Sequence, residues 1–299
     1  MDEMRKNFEK RKETGMTEKF STGTMCMGIV GAIVILVVAQ TLALLVGSVL
    51  MGIGLSGSVC NIVIGILYVL FTLAGVSILC KKVLKIPMSE MRIEKFKVKG
   101  IWMIVAVSMP VIVVGVFLII GGQWEIHTFD TPVIWMIATG AVIFYGLATG
   151  IVEEVIFRGI IMGCLEKRVN IQAAVIFPSV LFGALHIVGN QLDLMSMIQL
   201  LVAGSIVGIL FSMITYETHS IWNSAIVHGI WNMVMIGGIL HIGNQSESSA
   251  IFNFVLENKM FLLSGGDFGI EASVVSIIVY LSFTILAAWR IKKKNNKNY

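Results

Sequence analysis

The sequence predicts an all-α, polytopic membrane bundle of about eight transmembrane helices with both termini in the cytoplasm. Hydrophobic residues make up 57% of the 299-residue chain and charged residues 13%, about half the roughly 25% charge of an ordinary soluble domain. The apolar residues gather into eight runs, most of them near the 18 to 25 residues that cross a bilayer core about 30 Å thick. Of the 22 Lys and Arg residues, twenty fall on one side of the alternation those runs impose, as the positive-inside rule requires of a cytoplasmic face. A water-soluble globule is excluded, and a net charge of +4 is too small and too scattered for a nucleic-acid partner.

Residues 1–24 carry six basic residues and form a cytoplasmic segment. The first run, 25–53, is too long for the apolar core of a signal peptide, about 7 to 15 residues, and reads as an uncleaved span. The second run covers 58–80. A basic cytoplasmic loop, 81–99, follows with Lys81, Lys82, Lys85, Arg92, Lys95, Lys97 and Lys99, a composition suited to anionic lipid headgroups. The third run, 101–121, completes an N-terminal unit, 25–129. Residues 130–242 form a second unit of four runs, 133–163, 171–188, 195–215 and 221–242. The first of these is too long for one perpendicular helix and must tilt or project into water, while Gly204 and Gly208 in the third make a GxxxG suited to close helix packing. Residues 243–290 comprise an external loop and the eighth run, 272–290; a basic cytoplasmic tail, 291–299, ends the chain. Cys26, Cys60, Cys80 and Cys164 form no CxxC pair and read as small hydrophobes.

Ionisable groups inside spans are costly, and each is a functional suspect. Glu153, Glu154 and Arg158 lie in the fourth run, His186 in the fifth, and His228 with Asn232 in the seventh. Glu154 and Arg158 have the i, i+4 spacing and order of a helical ion pair. That leaves Glu153 without a partner, a setting that raises a carboxyl pKa toward general-base work. Counted from the turn that joins their helices, Glu153 and His186 stand at matching depths, about 22 to 24 Å at 1.5 Å per residue. Pro178 should kink the fifth helix or free a carbonyl, and Phe182, one turn before His186, can wall the site. His228 and Asn232 share a helix face and suit an oxyanion, a cation or an interhelical hydrogen bond. His127, His219 and His241 fall in loops or at helix ends.

Taken together, the EExxxR of Glu153, Glu154 and Arg158, the FxxxH of Phe182 and His186, and the HxxxN of His228 and Asn232 resemble the three signature motifs of the CPBP intramembrane proteases. That family includes the type II CAAX prenyl endopeptidases and the bacterial Abi proteins linked to bacteriocin immunity. The resemblance covers about residues 130–240. It implies a helical bundle of the bacterial cell membrane in which a water-accessible cavity hosts hydrolysis of a membrane-associated peptide or protein. Carried onto this chain, it implies that Glu153 with His186 activates the water, that His228 with Asn232 holds the tetrahedral oxyanion, and that Glu154, Arg158 and Phe182 support them. The family is often described as metal-dependent. Glu153, His186 and His228 have the donor chemistry for zinc, although no HExxH is present; no organic cofactor is implied.

Three other readings compete. Gly54–Leu55–Ser56–Gly57 is a GxSG string like that of rhomboid serine proteases, but it occupies a small-residue turn. Buried acids and histidines also build proton-coupled transporters, against which stands the absence of paired broken helices. The same polar cluster could serve a non-catalytic immunity or scaffolding protein through helix contacts alone.

Overall fold

The computed structural model describes residues 20–296; residues 1–19 of the basic N-terminal segment and the last three of the basic tail lie outside them. Eight helical segments follow the eight apolar runs. They are α1 (Thr22–Gly52), α2 (Gly57–Leu84), α3 (Gly100–Ile120), α4 (Thr131–Arg168), α5 (Ile171–Leu185), α6 (Leu194–Thr218), α7 (Ile221–Met235) and α8 (Val274–Asn295). All but α5 and α7, 15 residues each, are long and apolar enough to cross a membrane. The chain is an integral membrane protein built as an all-α polytopic bundle. Side chains at the starts of the helices define them locally: Ser21, Ser56, Asn170, Asp193, Ser220 and Ser273 each accept a hydrogen bond from a first-turn N–H.

Packing in α1 explains why the bundle suits lipid. Its buried residues are Gly28, Ala32, Ala39, Ala43 and Gly47, while Val30, Val34, Val37 and Leu45 are exposed. Large apolar side chains therefore coat the outside and small ones let backbones approach, the inverse of a water-soluble helix. A Cβ on Gly47 would lie 2.3 Å from Ile64 of α2. The expected GxxxG contact is present in α6: a Cβ on Gly204 would meet Gly183 of α5 at 2.7 Å, and one on Gly208 would meet Ser179 at 2.8 Å. α5 runs unbroken through Pro178.

The fourth run becomes a helix of 38 residues that changes winding along its length. Gly140–Ala148 and Val155–Ile161 are π-helical, and between them lies the short α-helical stretch Thr149–Glu154. Such π segments re-aim side chains and gather at functional sites.

At the end opposite the basic loop stands a feature absent from the sequence reading, a three-stranded sheet of β1 (Gly122–Ile126), β2 (Leu240–Gly243) and β3 (Phe252–Leu256). β3 is central, antiparallel to β1 and parallel to β2. The seventh helix is shorter than its apolar run for this reason: it ends at Met235, Gly238 turns the chain with φ +74°, and Leu240–Gly243 joins the sheet.

At the basic end, Glu217 of α6 ties three helices together. Its carboxylate accepts from Lys99 Nζ (3.0 Å), Trp102 Nε1 (3.0 Å) and Arg290 Nη2 (3.4 Å). Lys167 pairs with Glu90 at 2.6 Å, and Arg92 pairs with Glu166. Glu217→Ala should strand the buried Trp102 N–H and lower stability by about 3 kcal/mol, read as a fall in Tm of the detergent-solubilised protein; an unchanged Tm would show the lock to be energetically idle.

Candidate functional site

The three motifs meet where α4, α5, α6 and α7 converge. Glycines bring α4 and α7 into backbone contact: a Cβ on Gly150 would lie 2.8 Å from Cα and N of Gly229. Glu154 is one helical turn beyond Gly150, and His228 immediately precedes Gly229. This approach lets His228 Nδ1 reach Glu154 Oε1 at 3.1 Å. An ionised carboxylate only accepts, so Nδ1 carries the proton and the neutral ring keeps its lone pair on Nε2. That nitrogen lies 3.6 Å from Oε2 of Glu153. The imidazole thus stands between two carboxylates.

Arg158 supports the arrangement. Its guanidinium donates to Glu154 Oε1 (3.0 Å) and to the carbonyl of Gly208 on α6 (3.0 Å), the ion pair expected from the i, i+4 spacing. Both side chains are fully buried. The guanidinium sits 4.7 Å from the ring centre of Phe182 and 5.3 Å from that of Phe211, a cation–π enclosure. Two carboxyl groups and one imidazole therefore gather about a single guanidinium. Oε2 of Glu153 and Oε2 of Glu154 are buried without a hydrogen-bond partner.

Phe182 walls the site: its ring lies 4.5 Å from that of His186 and 5.7 Å, edge-on, from that of His228. Phe211 stacks on the other side of His228 at 4.7 Å. His186 caps the end of α5, and its Nδ1 donates to the carbonyl of Phe182 at 2.8 Å, leaving Nε2 as an acceptor. Asn232 gives one amide hydrogen to the carbonyl of Tyr145 at 3.1 Å, inside the first π segment of α4, and its second remains to be given. Phe182, His186, His228 and Asn232 border a common cavity of about 50 Å³, room for a few water molecules.

All seven site residues picked out in the sequence therefore lie together. Their pairing differs in one respect from that expected. Glu153 approaches His228, and no hydrogen bond or ion pair joins it to His186 among the described residues. Nor do Glu153, His186 and His228, or any other three His, Cys, Asp or Glu side chains among the described residues, group as metal donors, so their placement does not fit a three-ligand zinc site. Ser56 of the GxSG string is spent elsewhere, as the cap that accepts from Val59 N at 3.5 Å. His127, His219 and His241 stand outside the cluster: His127 meets Ser246, His241 meets Gln245, and His219 ends α6.

Glu271 was missed, because it falls just before the eighth apolar run in what reads as loop. It lies in a 3-10 turn (Ile270–Ala272) and borders the same cavity as His186 and His228. Burial pushes its carboxyl up to about 7, against the opposing hydrogen bond from Trp231. The folded chain thus keeps a proton that the unfolded chain has lost above about 4.5, so stability falls as pH rises from there to about 7 and is level beyond. Tm should accordingly drop between about pH 5 and 7.5, and Glu271→Gln should flatten the profile; an equal drop in the variant would assign it to other groups.

No curated protein matches the chain. Residues 134–234, the segment from early α4 to the end of α7 that holds all seven of the motif residues, match the family model of the Rce1-like type II CAAX prenyl endopeptidases. Over that segment, about a third of the 299 residues, the chain is similar to this family.

Proposed function

We propose that this protein is an endopeptidase that hydrolyses a peptide bond of a membrane-associated peptide or protein, with Glu153 as general base. The observation that carries the reading is the chain Arg158–Glu154–His228–Glu153, in which each link is 3.0 to 3.6 Å, beside a cavity with room for water. Glu153 takes a proton from the attacking water, which His186 Nε2 helps to hold. As the tetrahedral intermediate forms, that proton can pass over the short Glu153–His228 gap to Nε2. Glu154 stabilises the resulting imidazolium through Nδ1–H, as a carboxylate does in a hydrolase triad. His228 and the remaining amide hydrogen of Asn232 then donate to the oxyanion. The proton on His228 can leave with the departing amine, which returns both groups to their starting states. Because His228 is held in place by Glu154 and Asn232 by the Tyr145 carbonyl, the oxyanion is stabilised with little movement of either side chain, worth a few kcal/mol per donor.

The charge asymmetry supports a cytoplasmic location for the basic end, with both termini there, and a bacterial cell membrane suits the Abi-like motif set. Mass spectrometry of membrane peptide pools from cells carrying the unmutated protein or Glu153→Gln tests the activity in place. A species that accumulates uncleaved in the variant is expected; identical pools would count against proteolysis. Ser56→Ala should leave the pools unchanged.

A further inference from the structure

Trp231 lies between His228 and Asn232 along α7, and its indole N–H holds the carboxylate of Glu271. The Tyr280 hydroxyl fixes the backbone below, donating to the carbonyl of Glu271 at 3.1 Å, and packs edge-on against Trp231 at 5.1 Å. Two aromatic side chains from α7 and α8 therefore pin this acid in one place. It borders not only the hydrolytic cavity but also a second one, of about 60 Å³, along Met235, Leu240, His241 and Ile242 at β2. Phe268 and Glu271 are the two residues common to both linings, so they form the partition between the sheet end and the reacting groups.

Among the described residues, no Lys or Arg lines either cavity beside this carboxylate. Its hydrolytic-side neighbours include Leu200, Ala203, Val207 and Ile236, and it makes no ion pair with a described residue. The titratable groups on the two walls are His186, His228, His241 and Tyr280. His186 is bonded to Phe182, His228 to Glu154 and His241 to Gln245. A positioned acid in a largely apolar cleft with no protein counter-ion is completed by a cation that arrives with a ligand. An ammonium group is about the size of a water molecule, and either cavity admits it.

We propose that Glu271 binds a cationic side chain of the peptide substrate next to the bond that is cut, an inference that rests on the peptidase reading above. The preferred substrate is then an apolar, membrane-associated peptide with a Lys or Arg close to the scissile bond. A raised carboxyl pKa fits this role, since an entering cation restores the ionised form.

Binding can be measured without turnover in the Glu153→Gln protein in nanodiscs, by anisotropy of fluorescent twelve-residue Leu/Ala peptides. Each carries Lys, norleucine or Glu at one position, scanned along the peptide. At one or two positions Lys should bind about tenfold tighter than norleucine, with Glu weakest, and Glu271→Gln should erase the difference. Should that variant fail to fold, Trp231→Phe, which frees the carboxylate from its indole, should cut the preference at least threefold. Equal binding of the Lys and norleucine peptides at every position, or a Lys preference that survives loss of Glu271 or of its Trp231 anchor, overturns the inference. If the unmutated protein cleaves none of these peptides but keeps the Glu271-dependent preference, the peptidase reading fails while the recognition stands.

Discussion

Glu154→Gln is expected to slow peptide cleavage by about a thousandfold and to lower stability by about 3 kcal/mol. The rate loss follows from tautomer control. Oε1 of Glu154 accepts from both His228 Nδ1 and Arg158 Nη1, and an amide can present its single oxygen there only if its NH2 is accommodated elsewhere in a fully buried space. When the NH2 points at His228, the imidazole must turn its lone pair to Nδ1, and the proton-transfer path to Glu153 is lost. Conversion of an imidazole-orienting carboxylate to its amide costs about 10⁴-fold in serine proteases. The stability loss has another cause, since the fully buried Arg158 loses the carboxylate bonded directly to it. The double variant Glu154→Gln/Arg158→Met separates the two: it should regain much of the stability and none of the rate. A double variant with recovered activity would show that Arg158 and Glu154 matter only as a charge pair.

Gly150→Ala should cost about a hundredfold in rate through geometry alone. The added methyl would stand 2.8 Å from backbone atoms of Gly229 and 3.1 Å from the Ala225 carbonyl. Backbone cannot rotate aside as a side chain can, so α4 and α7 must separate by several tenths of an ångström. The Glu154–His228 bond bridges that seam. Misplacement approaching 1 Å in a catalytic array costs about 10² in rate, with about 1 to 3 kcal/mol of overpacking strain. Gly115→Ala, on α3 with nothing within 4 Å of the added methyl, is the control and should leave the rate unchanged. Equal effects of the two substitutions would refute the seam as the element that sets the site.

What could be read from the sequence was whatever depends on local spacing. Helices appear as apolar runs, and the i, i+4 rule foretells the Glu154–Arg158 pair and the shared face of His228 and Asn232. The GxxxG of Gly204 and Gly208 foretells close packing, although not that α5 is its partner. What depends on distant segments meeting could not be read. β1 and β3 are separated by four helices, so their pairing leaves no periodic trace. Gly150 and Gly229 look like ordinary glycines until their helices are superposed in space. The π turns of α4 have no composition of their own, and they shift which residues face inward after Gly140. Glu271 looked like loop because its burial is imposed by Trp231 and Tyr280 from other helices. The expected matching depth of Glu153 and His186 concerns two helices only and carries no trace of α7, which brings His228 to 3.6 Å from Glu153.

Cleavage of a membrane-embedded peptide library by the purified protein in lipid vesicles, compared with Glu153→Gln at matched Tm, puts the hydrolytic role of Glu153 to the question most directly. Specific new peptide termini should appear with the unmutated protein and fall below detection with the variant. Products formed equally by both, or by neither, would contradict the assignment of Glu153 as the base of an intramembrane endopeptidase.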